Sequence, residues 1–381
     1  MLLLAIIKQV GDKMNETKNF NVFIFLSTLA RTIIDCYIPV ILYNKGLEIR
    51  GILFFILLNY SITFLVNVPL GMIGKRITFK WAVIVSSLFI GVSYYFLLAL
   101  ELNVLNLFIF TLTHAISTNI YWLSRHYYAL EILPKKDLAD DVGKIIIFST
   151  LAIIPVSYVG ALMMNNLEIK YILIIIISLY IVSIFPLFKI KEDKKYIEKK
   201  LSDIEFPRRS VFFMIMAQFR MISRYLFPLF IFIYIKGNYE FIGLFNIVMG
   251  IASTIFVYFF AKRMDKKKKD YLFLSGILGF LVYILKLNIV DTSIVLFVAF
   301  VEGLADKMYE VAFNRNLYAL GHHYNGVSYS VVMEGLQNIS RVVITLFFVF
   351  VLSDLKSVLY ISSFMLLVTG AIGFDDGEGG Y

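Results

Sequence analysis

Apolar runs separated by short polar clusters recur from one end of this chain to the other. About 20 residues of helix cross the hydrocarbon core of a bilayer, and most of the runs reach that length. The pattern predicts twelve spans, at about 19–43, 50–73, 80–100, 103–130, 143–165, 168–188, 210–235, 239–261, 271–289, 293–319, 327–352 and 355–374. Most connections between them are short, so neighbouring helices should run antiparallel. The one long polar stretch, Lys189 to Arg209, carries eight basic residues. It divides the chain into a segment 1–18, a six-helix half 19–188, a connector 189–209, a second six-helix half 210–374 and a tail 375–381. The predicted fold is therefore an all-α membrane protein of twelve transmembrane helices, in two pseudo-symmetric halves around a central cavity.

Composition removes the soluble alternative. Hydrophobic residues make up 60% of the 381, charged residues 17%, and the mean hydropathy is +0.81. A single soluble core could not enclose that much apolar surface. The formal charge is +9, but most Lys and Arg fall on one side of the predicted topology. The opposite loops hold Lys45, Arg50, Lys170, Lys236, Lys286 and Lys356. This positive-inside bias puts both termini in the cytoplasm and implies an integral protein of a prokaryotic cytoplasmic (inner) membrane. The basic excess anchors the chain to the bilayer and gives no reason to expect nucleic acid. The lone cysteine, Cys36, excludes an internal disulfide. The apolar run Met1 to Ile7 is too short for a signal-peptide core, and Met14 is an alternative start. The acidic, glycine-rich tail reads as a disordered end or a remnant of expression.

The two halves echo each other. Arg31 is followed eight residues later by Pro39, and Arg220 by Pro228. The fourth residue after each arginine is charged, Asp35 in one copy and Arg224 in the other. Both copies then run to a Lys-Gly pair, Lys45-Gly46 and Lys236-Gly237. Downstream, Arg125 with Tyr128-Ala129-Leu130 recurs as Arg315 with Tyr318-Ala319-Leu320. The offsets of 189 and 190 residues mark a duplication. Charges at matching places in the two halves are the sequence sign of a central solute site.

Charges inside a span are costly and should face a cavity or a partner. They fall on spans 1, 7, 10 and 11, with Arg125 near the end of span 4. On span 10, Glu302, Asp306 and Glu310 lie four apart and form one stripe, with Lys307 beside it. Three acids on one face repel, so a proton shared among them is one expectation. A fixed network neutralised by Lys307, Arg341 or Arg224 is the other. Span 11 places Glu334, Asn338 and Arg341 on one face, as a coupling group or a salt bridge to a neighbouring helix. Arg31 and Arg220 sit at matching positions on spans 1 and 7, where facing guanidinium groups could hold an anion. Asp35 competes with that reading: it could pair with Arg31 or Arg224 and fix the contact between the halves. His114 and Asn119 on span 4 are further cavity candidates. Tyr121 and Trp122 read as packing or interface anchors.

Six spans, a basic connector, six more spans and echoes at half-length spacing resemble the major facilitator superfamily over nearly the whole chain. That family's loop between helices 2 and 3 carries a Gly-x-x-x-Asp stretch followed by basic residues. Here the first copy is Gly71 with Lys75-Arg76, without the aspartate; the second is Ala261 with Asp265 and Lys266 to Lys269. The resemblance implies a cytoplasmic latch at Gly71, Arg76 and Asp265. It also implies that helices 1, 4, 7 and 10 line the cavity while 3, 6, 9 and 12 face lipid. Arginines on helices 1 and 7 are similar in placement to those of the superfamily's organophosphate–phosphate exchangers. Pro155 and Gly160 faintly resemble a stretch of its drug–proton antiporters.

The expected activity is secondary active transport of a small polar or charged solute by alternating access, with protons as the coupling ion. No cofactor is expected, and the partners are a small-molecule substrate and the lipid bilayer, with the chain acting as a monomer. The alternatives are proton-driven efflux of amphipathic drugs or lipids, and organic anion or phosphate exchange at Arg31 and Arg220. Less favoured are a receptor that has lost transport, and a membrane enzyme using Asp137, Asp140 and Asp141 to hold magnesium. The latter lacks a second acidic cluster. His322-His323 has no acidic or cysteine ligand beside it for a metal.

Overall fold

The computed structural model describes residues 2–73, 79–99, 101, 103–133, 138–190, 204, 206–267, 271–288, 291–322, 326–351 and 354–373. Among them the chain is helical throughout, with no strand. The helices are α1 (Leu2–Asp35), α2 (Ile38–Asn44), α3 (Ile49–Ile73), α4 (Phe79–Leu98), α5 (Val104–Ile132), α6 (Leu138–Asn166) and α7 (Ile169–Ile184). A 3₁₀ turn, Phe185–Lys189, ends this run. The second run is α8 (Arg208–Tyr234), α9 (Tyr239–Lys267), α10 (Leu272–Asn288), α11 (Thr292–Gly321), α12 (Gly326–Val351) and α13 (Leu355–Ile372). Ten stretches are long and apolar enough to cross a membrane, with α1 and α2 counted together as Glu16–Asn44. The two remaining predicted spans are α10, apolar but shorter, and α11, long enough but charged at mid-length.

The predicted boundaries differ from these helices mainly at the ends. α1 starts at Leu2, so residues 2–18 continue the helix that the hydrophobic pattern begins at 19. α6 begins five residues before its apolar stretch, with Asp140 and Asp141 in the first turn, where acids favour the positive end of the helix dipole. The matching prolines act differently. Pro39 stands in the first turn of α2, after a break in which Tyr37 N–H bonds to Ile34 O at 2.8 Å. Proline has no N–H and is tolerated there, so the first span bends. Pro228 lies inside α8, which continues past it. The Lys-Gly pairs differ too. Gly46 has φ +97° and closes α2 with Gly46 N–H to Tyr43 O and Leu47 N–H to Leu42 O. That pattern of two reversed bonds needs a left-handed residue, which glycine supplies without a Cβ clash.

Two apolar layers hold the bundle. One joins α1, α2 and α3 to α8 and α9 around Tyr37, Phe55, Phe227 and Phe230. The other joins α5 and α6 to α8, α9, α11 and α12 around Tyr128, Phe213, Tyr318 and Tyr329. Helix–helix contact inside lipid depends on close packing, since lipid tails are as apolar as leucine. α6 on α9 and α3 on α12 are the main contacts between the two runs. Gly243 on α9 lies against the backbone of Ser157 and Tyr158, where an added Cβ would stand 2.8 Å from Ser157 O. Elsewhere, α4 presents Trp81, Val85, Leu88, Val92 and Tyr95 outward at helical spacing, and α7 presents Ile174, Ile177 and Ile181.

Candidate functional site

Between the two apolar layers lies a cavity of about 460 Å³. Its walls come from α1, α2, α3, α5, α6, α8, α9, α11 and α12, with nothing from α4, α7, α10 or α13. Three polar clusters face it or stand behind its wall.

The first joins α8 to α11. The four-residue spacing Arg220–Arg224 and Asp306–Glu310 puts both pairs on facing stripes. Arg220 Nε donates to Asp306 Oδ1 at 2.9 Å, and Nη2 donates to the same oxygen and to Asp306 O. Arg224 Nη1 lies 3.5 Å from Glu310 Oε2 and 3.7 Å from Asp306 Oδ2. Lys307 Nζ donates to Glu310 Oε2 at 2.6 Å. Three cations and two acids thus share one interhelical knot, and the stacked rings of Phe213, Tyr309 and Phe313 border it. Glu302, one turn along from Asp306, is buried and lines the cavity. The fixed-network reading matches this geometry in Lys307 and Arg224; Arg341 is not part of the knot.

The second cluster belongs to α1, α3, α4 and α5. Arg31 Nε donates to Asp35 Oδ2 at 3.2 Å and Nη2 to Thr118 Oγ1 at 2.9 Å, while its guanidinium lies over the Tyr121 ring. Tyr94 OH donates to Asp35 Oδ1 at 2.5 Å. His114 Nδ1 meets Asn59 Oδ1 at 3.0 Å, and Nε2 stands 3.7 Å from Asp35 Oδ1, beyond hydrogen-bond distance. Asp35 therefore pairs with Arg31 on its own helix; it makes no ion pair with Arg224 among the described residues. Arg31 and Arg220 both line the cavity, each already facing a carboxylate.

The third cluster bridges α5 to α11 and α12. His126 Nε2 lies 3.0 Å from Glu334 Oε1, Nδ1 meets Tyr318 OH at 2.9 Å, and the ring stacks on Trp122. Both side chains of the His126–Glu334 pair are buried. The sequence reading placed Glu334 in a salt bridge or a coupling role but did not single out His126. The usable signal was position: His126 follows Arg125 inside the repeated Arg-x-x-Tyr-Ala-Leu block, on the side of span 4 nearest its polar end. Arg125 stacks over Trp122 at 4.7 Å. Arg341 donates from Nε to Gln218 Oε1 at 2.7 Å, from Nη1 to Asn338 Oδ1 at 3.0 Å and from Nη2 to Gln337 Oε1 at 3.0 Å.

Several expectations need correction. Tyr121 and Trp122 are cavity residues under Arg31 and Arg125, not only packing anchors, because α5 turns that face inward. Asn119 turns away from the cavity and donates to Thr63 O and Asn67 Oδ1 on α3; Asn67 in turn donates to Val331 O on α12 at 2.6 Å. Asn338 is fully buried behind Arg341 rather than on the wall. Gly71 sits where α3 crosses α12, and a Cβ there would stand 2.3 Å from Val331 Cγ2. Close helix packing accounts for that glycine. Arg76 and most of the 189–209 connector, the tail and the Asp265 side chain lie outside the described residues. Asp140 and Asp141 pair with Lys144 at 3.0 and 2.7 Å. Among the described residues no group of three metal-ligating side chains converges.

A family model described as the Major Facilitator Superfamily matches residues 21–345. No curated protein is significantly similar in sequence. Among solved structures, the human organic anion transporter MFSD10 (TETRAN) superposes with a TM-score of 0.71 at 10% identity, over 94% of this chain and 99% of that one. The E. coli fucose:proton symporter FucP gives 0.64 at 12% identity, over 93% of this chain and 97% of that one. At these identities the likeness is one of fold.

Proposed function

The chain belongs to the Major Facilitator Superfamily, and from that premise we propose that it is a proton-coupled secondary carrier of a small polar or charged solute. Membership makes it an integral membrane transporter and not an enzyme. In the proposed arrangement, residues 19–188 and 210–374 form two six-helix halves, with α11 as a charged tenth span and α10 as the ninth. The halves rock about the cavity, and the 1–18 segment, the 189–209 connector and the 375–381 tail stay on the cytoplasmic side of a prokaryotic inner membrane.

The observation that carries this reading is the cavity between two apolar layers, walled by both runs of helices and rich in ionised groups. Alternating access needs contacts that break on one side while others form, and the substrate must favour the state in between. His126–Glu334 is such a contact, because it crosses from α5 to α12. With its proton the pair is His126⁺ against Glu334⁻ and ties α5 to α12 by charge, whereas loss of that proton leaves neutral His126 beside Glu334⁻ and a weaker tie. Proton arrival and departure at this pair would thus bias the rocking equilibrium. The α8–α11 knot is less suited to that task, since Asp306 and Glu310 are already engaged by Arg220, Arg224 and Lys307. Efflux of amphipathic drugs is less well supported, because the wall carries many fixed charges.

The test uses proteoliposomes with an internal pH dye, screened with a metabolite panel for solute-induced proton movement. Once a solute is found, Glu334→Gln should retain solute exchange at equal pH but lose accumulation driven by a proton gradient. Accumulation by this variant as steep as wild type would remove Glu334 from coupling.

A further inference from the structure

Two cations of the cavity wall stand apart in their partners: Arg125, whose guanidinium lies over the Trp122 ring, and Arg341, which is held by neutral amides. Arg31, Arg220, Arg224 and Lys307 each face a carboxylate at 4 Å or less. Arg341 has no carboxylate within that distance among the described residues. Its three bonds go to the neutral amide oxygens of Gln218, Asn338 and Gln337, on α8 and α12. A guanidinium has five N–H donors. One is used on Nε and one on each Nη, which leaves one donor on Nη1 and one on Nη2. Two donors on neighbouring nitrogens of one guanidinium suit the two oxygens of a carboxylate. The Tyr60 ring lies 5.2 Å from Cζ, and Arg341, Gln218, Gln337 and Tyr60 all line the cavity.

Neutral amides orient a guanidinium without cancelling its charge. With no carboxylate in direct contact among the described residues, Arg341 keeps donors open to an anion that arrives and leaves. The cavity wall carries the aromatic side chains Tyr60, Tyr121, Trp122, Tyr225, Phe313 and Tyr318, with Tyr60 set against Arg341 itself. Such a lining suits a flat apolar body better than a hydrated one.

Resting on the carrier reading above, we propose that Arg341 is the substrate anchor, and that the substrate class is a small carboxylate with an aromatic or apolar body. The carboxylate sits end-on at Nη1 and Nη2, and the body lies among the aromatic side chains. This moves the anion site from Arg31 and Arg220, whose charges already face Asp35 and Asp306, to an arginine on α12. It also joins substrate to proton: Asn338 accepts from Arg341 and donates to Glu334 Oε2 at 3.5 Å, so one buried amide separates the anchor from the His126–Glu334 pair.

The chain reports on its own cavity. It has two tryptophans; Trp122 lines the cavity, while Trp81 is 57% exposed on the outer face of α4. In a Trp81→Phe background, purified full-length protein is titrated with benzoate and with benzamide, its neutral near-isostere, following Trp122 emission. Benzoate should give a saturable change, with benzamide at least tenfold weaker. Arg341→Gln should weaken benzoate at least tenfold and abolish the preference, and Arg341→Lys, which keeps charge but loses the fork, should fall between. Melting curves of both variants establish that they are folded. Equal benzoate affinity in wild type and Arg341→Gln, or benzamide binding as tightly as benzoate, overturns the anchor. An absence of any benzoate response in the wild-type background overturns the aromatic-carboxylate class, and a response to inorganic phosphate in its place would reassign the anion. Binding is read without translocation. Proteoliposomes that bind benzoate but do not move it would therefore sink the carrier reading and leave Arg341 as the anchor.

Discussion

Replacing Asp306 by asparagine takes a negative charge from the middle of three cations. Arg220 holds its carboxylate through Nε and Nη2, Arg224 Nη1 lies at 3.7 Å and Lys307 Nζ at 4.0 Å. A pair at such separation is worth about 4 kcal/mol of gross attraction at an effective dielectric of about 20. Desolvation offsets much of this in the intact knot, but the offset is not returned when one partner is lost, because the guanidinium stays buried. Removing one member of a buried pair costs about 3–5 kcal/mol. The Asp306 and Arg220 side chains are each 6% exposed, whereas Glu310 is 18% exposed. Asp306→Asn should therefore destabilise more than Glu310→Gln. Joint replacement, Arg220→Met with Asp306→Leu, should recover much of the Asp306→Asn loss, since it leaves fewer unpaired charges. Thermal unfolding in detergent, followed by circular dichroism, orders the four proteins. A melting point for Asp306→Asn equal to wild type would refute the argument, as would a double variant no more stable than that single one.

Two further predictions concern packing and capping. Gly303→Ala sets a Cβ 2.3 Å from Met249 O, a backbone atom of α9; overpacking of this kind costs about 1–3 kcal/mol, so its melting point should fall, and an unchanged value would mean that α9 and α11 separate freely. Asp354 caps α13, accepting from Ser357 N–H at 2.9 Å, and the Ser357 bonds hold its carboxyl below the ordinary value. A depressed folded value means stability that is present above the unfolded value and lost as pH falls through the folded one. Asp354→Ala should therefore cost about 1 kcal/mol at neutral pH, with the gap to wild type closing in acid; a gap independent of pH would show that the carboxylate charge is not what stabilises the cap, and no gap at neutral pH would show that the cap contributes nothing.

Much of the architecture is legible in the chain. Apolar runs of bilayer length set where helices lie, because a backbone in lipid must satisfy its own hydrogen bonds. The helix ends follow within a few residues, apart from the early starts of α1 and α6 and the late end of α9 at Lys267. Helical periodicity likewise puts Arg220 with Arg224, and Asp306 with Glu310, on single faces. What periodicity leaves open is which face meets which. Asp35 had two candidate partners in Arg31 and Arg224; it pairs with Arg31, one turn away on α1, which Thr118 of α5 also holds, while Tyr94 of α4 donates to Asp35. The repeated block marks the position of His126 but not its partner; only the approach of α5 to α12 makes it the partner of Glu334. Asn119 looked like a cavity candidate, yet it bonds to α3 away from the cavity. Matching prolines gave a break at Pro39 and an unbroken helix at Pro228, a difference set by what each surrounding bundle allows. Hydrophobic spacing is a property of one helix, so the sequence by itself determined the elements and the residues on each face. Ion pairs and cavities depend on the depth and rotation of one helix against another, and these follow from contacts far apart in the chain, which only the tertiary structure decided.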